Sequence, residues 1–267
     1  MLKKVRRSEH IKVSVLIANY NNEQYLKECI DSIKKQNYGN IEIIIHDDGS
    51  SDNSIKKLNE YKNIKIIKNK KRGKYGSYNQ MNAYYRAFKK SNGEIVFLLD
   101  SDDFFKKNKI KVITDMFLNN KIISSLFDLP IYKYKNKLLF IKNKKKIISN
   151  YWPYIPPQSC IAMKREHFMK VFNMINFNLF PDIWMDFRIC LYQKYIENNF
   201  RIIDKNLTYY RQSQDMISSD FQFLSFAWWK RRKQAHDYTK YFFKRNKIMY
   251  VKNLDYLLTN FIHFFIK

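Results

Sequence analysis

Short, nearly unbroken apolar runs recur through the first hundred positions. VSVLIA at residues 13–18, IEIIIH at 41–46, IKIIK at 64–68 and EIVFLL at 94–99 read as strands covered on both faces. The stretches between them change period. Leu26, Cys29, Ile30 and Ile33 fall at helical spacing, with Asn21 or Asn22 as the expected cap. A second helix is expected from Ser51 or Asp52 to about Tyr61. A third follows a loop with Gly73 and Gly76 and ends near Lys90, and a fourth covers about 107–119. Strand and helix in alternation predict an α/β fold: a mainly parallel central sheet, flanked by helices and joined by right-handed crossovers.

Sheets of this kind bind ligands outside the carboxyl ends of their strands. Polar clusters stand at three such ends, residues 19–22, 47–51 and 100–103, and should converge on one edge. Neither GxGxxG nor GxxxxGK[ST] occurs, so a glycine-rich turn is not what would hold a nucleotide's phosphates. The DSDD at 100–103 offers another solution. Carboxylates two apart on an extended backbone point to the same side, where a divalent cation can bridge them to a diphosphate. Taken singly, DDGSSD also reads as a turn plus a helix cap, and DSDD as a solvated cap. The DxDxDG spacing of a calcium hand is absent.

VSVLIANYN, IEIIIHDDGSSDNS and GEIVFLLDSDDFF, in this order and spacing, together resemble the N-terminal half of a family-2 glycosyltransferase with the GT-A fold. The resemblance is specific over about residues 12–107 and traceable to about 219. It implies that Ala18, Tyr20 and Asp48, with Asp47 beside it, hold a nucleotide base; Tyr20 can stack and Asp48 can accept from an N–H. It makes Asp102 the main ligand of Mn²⁺ or Mg²⁺. Asp100 would lie towards the ribose and diphosphate, and Asp103 would support the metal site from behind. In PDIWMDFRICLYQKY (181–195) it makes Asp186 the base of an inverting transfer, with Asp182 as runner-up; as sequence alone, Asp186 also reads as a helix cap. PPQSCIAMKREHF (156–168) resembles the acceptor-side strand and helix. Arg211 would reach the diphosphate. The chain departs from the family pattern at Tyr85 and Ala87, where Asn and Gly are usual, at Met185, where Glu often precedes the Asp, and at Ser213, where a metal-binding His often sits.

Composition changes this picture in two places. Fifty Lys and Arg against 24 Asp and Glu give a net charge of +26, which calls for an anionic partner. Residues 221–267 carry ten Lys/Arg, two Asp and fourteen aromatics, and Val251, Leu254, Leu258, Phe261 and Phe265 step by three and four. We therefore expect a transferase domain over 1–220 and a helical, basic-aromatic appendage over 221–267. The appendage either docks on its own domain or lies on an anionic membrane surface. Seven lysines and no acid between 131 and 147 suggest a solvated hairpin or loop. Three scattered cysteines argue for reduced thiols, and neither an export signal nor a membrane-spanning run is evident. A cytoplasmic enzyme at the inner face of the plasma membrane is the expectation. It would move a sugar from a nucleoside-diphosphate donor, UDP favoured, to a hydroxyl of a glycan, lipid-linked by preference, in bacterial surface polysaccharide synthesis. Basic residues interleaved with aromatics also fit an RNA- or single-strand-binding protein, but acidic strand ends repel phosphates, so no nucleic acid is expected. A sugar-nucleotide-binding relative without catalysis is the remaining alternative.

Overall fold

The computed structural model describes residues 11–135, 137–141, 152, 156–174, 179–212 and 222–265. The four predicted strands form, as β1 (Val13–Asn19), β2 (Ile41–Asp47), β3 (Ile64–Lys68) and β4 (Ile95–Asp100). They lie in the order β3-β2-β1-β4, all parallel. The helices between them are α1 (Leu26–Lys34), α2 (Ser54–Asn59) and α3 (Gly76–Lys89). Side by side in the ladder, Ala18 pairs with both His46 and Asp100, and Asn19 with Asp47. The three polar clusters therefore end at one level, as the alternating pattern requires.

Beyond β4 the sheet is mixed. After the two-residue β5 (Phe104–Phe105) and α4 (Lys109–Asn119) come β6 (Ser125–Tyr134) and β7 (Lys137–Phe140), a hairpin where the lysine run left hairpin or loop open. Next are β8 (Ile161–Lys164), α5 (Arg165–Met174), α6 (Met185–Tyr192) and β9 (Phe200–Arg211). The order continues β4-β8-β6-β9-β5, with β8 antiparallel to both neighbours and β9 parallel to β6.

Alternate side chains of β1, β2 and β4 feed two cores, because successive residues of a strand face opposite sides. Val13, Val15, Ile17, Ile43, Ile45, Phe97 and Leu99 meet α1 and α4. Leu16, Ile44, Val96 and Leu98 meet α3, α5 and α6 on the other side. The base of the sheet is tied by Glu42, which accepts from Ser14 Oγ at 2.7 Å and from the Gly93 N–H at 3.0 Å. A Cβ on Gly93 would stand 2.4 Å from Ser14 Oγ, so only glycine permits this approach.

The caps differ from expectation in an informative way. Asp52 Oδ1 does accept the Ser54 N–H, at 2.9 Å. Asn21 and Asn22, however, do not cap α1 with their side chains. Asn21 Oδ1 accepts from the Ser51 N–H, and Asn22 Nδ2 donates to Ser101 Oγ at 2.8 Å. Both are used across strands, binding the three strand-end loops together.

The C-terminal region forms α7 (Phe226–Arg245) and α8 (Leu254–Phe265). Ala235, Tyr238, Phe242 and Phe243 of α7 join the core shared by α3, α5 and α6. The division near 220 falls outside the described residues.

Candidate active site

At the end of β1 and β2 the structure gathers Ala18, Tyr20, Asp47 and Asp48. Both oxygens of Asp47 are engaged: Oδ1 by the Gly49 and Ser50 N–H groups, Oδ2 by Asn19 Nδ2 at 2.7 Å and Ser50 Oγ at 2.6 Å. Asp47 shapes the turn, where Gly49 sits at φ +78°. Asp48 is different. Its Oδ1 accepts from Asn69 Nδ2 at 3.0 Å, while its buried Oδ2 has no hydrogen-bond donor, with Arg72 Nε 3.6 Å away. The Arg72 guanidinium also covers the Tyr20 ring at 3.6 Å. An aromatic face, a guanidinium and a buried carboxylate oxygen awaiting a donor are what a planar base with an N–H needs.

Asp100, Asp102 and Asp103 follow at the end of β4, and the three are not equivalent. Asp100 Oδ1 accepts from Gln80 Nε2 and Tyr84 Oη, each at 2.7 Å. Asp103 accepts from the Arg211 N–H at 2.8 Å and from Ser159 Oγ, so both its oxygens are engaged, which suits a supporting role. The Asp102 carboxylate and Asp100 Oδ2 receive no hydrogen bond from another side chain among the described residues. Burial raises all three, and the neighbouring carboxylates add to the rise at Asp102, which reaches about 7, and at Asp103. Three carboxylates this close are short of positive charge. No three His, Cys, Asp or Glu among the described residues form a ready-made cation cage. Two carboxylates with uncommitted oxygens nevertheless fit Mg²⁺ or Mn²⁺, which such sites hold through one or two carboxylates, water and substrate phosphates.

Asp186 stands half-buried in the first turn of α6, where its Oδ1 accepts the Phe187 N–H at 2.7 Å. Burial raises it to about 8, with Asp100 adding to the rise and the Arg231 charge opposing it. The Tyr210 hydroxyl of β9, itself raised by burial, feels Asp103, Asp100, Asp102 and Asp186 together. Carboxylates from two distant parts of the chain thus lie within electrostatic reach of one phenol. The loop before α6 is held by Arg188, fully buried, which donates to the carbonyls of Leu179 at 2.9 Å and Phe180 at 2.7 Å. Asp182, the runner-up, has another occupation. Its Oδ2 accepts from Gln234 at 2.7 Å and its carbonyl from Arg231 Nε at 3.0 Å, so it joins the loop to α7.

The raised Asp186 makes a prediction about stability. The fold favours its protonated form, so its contribution is fully present below the unfolded value near 4. That contribution is lost as pH rises through about 8. Thermal unfolding in EDTA should lose stability between pH 5 and 8, and the slope should be shallower in Asp186→Asn. An unchanged slope in the variant would contradict this assignment.

Arg211 stands beside the carboxylate loop. Its Nε donates to the Asp102 carbonyl at 2.8 Å, its NH2 pairs with Glu28, and its guanidinium lies 4.3 Å over Tyr25. It braces the Asp102 loop. Ser213 lies outside the described residues. Of the departures, Tyr85 packs on Phe172, and Ala87 and Met185 are core residues. The α3 face turned to Asp100 is Gln80 and Tyr84, one helical turn apart, a spacing the sequence carried without indicating its partner. Asn69, Arg72, Ser159 and Arg231 were also not singled out. Ser159 and Arg231 lie in stretches read as the acceptor side and the appendage, and no local pattern points from either to the carboxylates.

The family model for glycosyl transferase family 2 matches residues 14–184. A protein of Nostoc sp. (strain PCC 7120), the uncharacterized glycosyltransferase alr2836, is 32% identical over 75% of this chain and 65% of its own length. The Escherichia coli UDP-Glc:alpha-D-GlcNAc-diphosphoundecaprenol beta-1,3-glucosyltransferase WfgD is 35% identical over 41% of this chain and 42% of its own. The chain thus spans less than two thirds of either relative's length. Among solved structures, S. aureus TarS 1-349 in complex with UDP-GlcNAc superposes with a TM-score of 0.63 at 18% identity. That match covers 84% of this chain and 65% of that one, a likeness of fold.

Proposed function

The chain belongs to glycosyltransferase family 2 and has its GT-A-like fold, and from that premise we propose that it is an inverting, metal-dependent glycosyltransferase. It takes a sugar from a nucleoside-diphosphate donor, UDP favoured, and attaches it to a hydroxyl of a lipid-linked glycan. Residues 1–220 are the transferase domain and 221–267 an appendage. Tyr20 and Arg72, stacked on each other, line one side of the base, and Asp48 accepts its N–H, helped by Asn69. Asp100, held by Gln80 and Tyr84, faces the ribose and diphosphate. Asp102, with Asp100, holds Mn²⁺ or Mg²⁺, which when bound offsets the charge of the leaving diphosphate. Arg211 and Asp103 keep that loop in place. Asp186 takes the proton from the acceptor hydroxyl as the oxygen bonds to the anomeric carbon and the bond to the diphosphate breaks. The Phe187 N–H in the first turn of α6 partly offsets the effect of burial on Asp186.

The observation that carries this reading is the meeting, at one level of the sheet, of Asp48 with its donorless oxygen and the β4 carboxylates with theirs uncommitted. Support for UDP comes from the donor in the E. coli relative's name and the ligand bound to TarS. Support for a lipid-linked acceptor comes from the diphosphoundecaprenol in that same name, and it favours work at the inner face of the plasma membrane in surface polysaccharide synthesis. The test is a thermal-shift panel of UDP-, GDP-, dTDP- and CMP-sugars with and without Mn²⁺. A UDP-sugar should raise the melting temperature only with the cation, and Asp102→Ala should abolish the rise. No cation-dependent stabilisation by any donor would overturn the proposal.

A further inference from the structure

Helix α8 is attached to the protein by its polar side. Asp255 pairs with Arg232 at 2.5 Å and with His236 at 3.0 Å. Tyr256 sets its ring against His236 and Tyr250, and Thr259 is fully buried. The opposite side is apolar and open. Leu254, Leu257, Leu258, Phe261, Phe264 and Phe265, spaced by three and four, are between 51% and 85% exposed. Met249 and Val251, in the turn before the helix, extend the same exposure, at 81% and 51%. Water is a poor neighbour for so continuous an apolar face, so it calls for an occupant.

Charge selects that occupant. Lys244, Arg245, Lys247 and Lys252 lie in the chain just before the stripe and are exposed. The two acids of residues 221–267, Asp237 and Asp255, are paired internally, with Lys233 and with Arg232 and His236. A second copy of a chain with net charge +26 would bring like charges together. An anionic bilayer supplies both needs: acyl chains for the stripe, and headgroups for the lysines. None of the described helices is long and apolar enough to cross a membrane, so α8 would lie in the interface plane.

We infer that the outward face of α8, with the Lys244–Lys252 cations beside it, is a docking surface for anionic phospholipid. It would also hold the active site near a lipid-borne acceptor. Arg231 and Gln234 of α7 contact the Asp182 loop just ahead of Asp186, while Arg232 and His236 of the same helix hold α8. One helix therefore links the lipid-facing surface to the catalytic loop. The contact rests on the transferase reading for its purpose alone, since lipid binding is measured without donor or acceptor.

The experiment is co-sedimentation of the full chain with vesicles of phosphatidylethanolamine and phosphatidylglycerol, against vesicles of phosphatidylcholine. Binding to the anionic vesicles should be at least tenfold tighter and should weaken with salt. Phe261→Ser/Phe264→Ser should lose at least tenfold of it while keeping the wild-type melting temperature and donor hydrolysis without acceptor. Lys247→Gln/Lys252→Gln should bind less and show a flatter salt dependence. Asp186→Asn should bind vesicles like the wild type, which separates failure of this surface from failure of the transferase. Wild-type protein left in the supernatant with anionic vesicles would overturn the inference. So would light scattering that finds a dimer turned to monomer by the Phe double variant.

Discussion

Asp186→Asn is expected to lower kcat by a factor of about 10² to 10⁴, the usual contribution of a positioned general base, while donor binding stays unchanged. The substitution keeps an Oδ1 that can accept the Phe187 N–H, so the first turn of α6 keeps its geometry and only the basic oxygen is lost. The wild type should also show an acid limb in kcat/KM. Asp186 must be ionised to accept a proton, and burial raises it to about 8 in the free enzyme. Activity should climb with pH up to that region, and the limb should vanish in the variant. Asp182→Asn is the control. Its carboxylate already accepts from Gln234, so its loss should slow the reaction far less. A variant of Asp186 retaining a tenth or more of kcat would place the base elsewhere.

Lys109→Met should be the most damaging single change to stability, by about 3–5 kcal/mol. Its ammonium and the Asp128 carboxylate are 2.7 Å apart, and both side chains are completely buried. Deleting one partner leaves the other charge without compensation in a medium that solvates it poorly. The effect should reach the site as well. Lys109 Nζ donates to the Ser159 carbonyl at 2.6 Å, and Ser159 Oγ donates to Asp103 and accepts the Asp100 N–H at 3.0 Å. Loosening Ser159 therefore loosens the loop that carries Asp102. Urea unfolding of the single variants and of Lys109→Met/Asp128→Asn tests the pair. The double variant keeps an acceptor for Thr208 without the charge, so it should recover part of the loss. A cost below 1 kcal/mol for Lys109→Met would show that the ion pair is not what holds this layer.

Where local pattern coincides with tertiary role, the chain was legible. Strands β1 to β4 are continuous apolar runs because both faces are covered, and burial on both faces is a property the residues themselves record. The carboxylates at their ends could be located from the same pattern, since a polar residue directly after a buried run marks the strand terminus. Roles within each cluster were not legible. Asp47 and Asp48 are neighbours of one type, yet only Asp48 has an oxygen left without a donor, because the turn consumes those of Asp47. Arg211 matched a motif, yet its side chain is committed to Glu28 and the Asp102 carbonyl. Hydrogen-bond partners are chosen by proximity in space, which sequence spacing does not encode.

By itself the amino-acid order determined the α/β class, the parallel half of the sheet, the level at which the acidic clusters meet, and the existence of an apolar stripe over residues 251–265. Only the tertiary structure decided that β9 inserts beside β6, that Gln80 and Tyr84 grip Asp100, and that α8 turns its stripe outward. Periodicity reports which residues share a face. Which face is covered depends on competing contacts from elsewhere in the chain, here the Arg232 ion pair and the His236 hydrogen bond to Asp255, which hold the polar side inward.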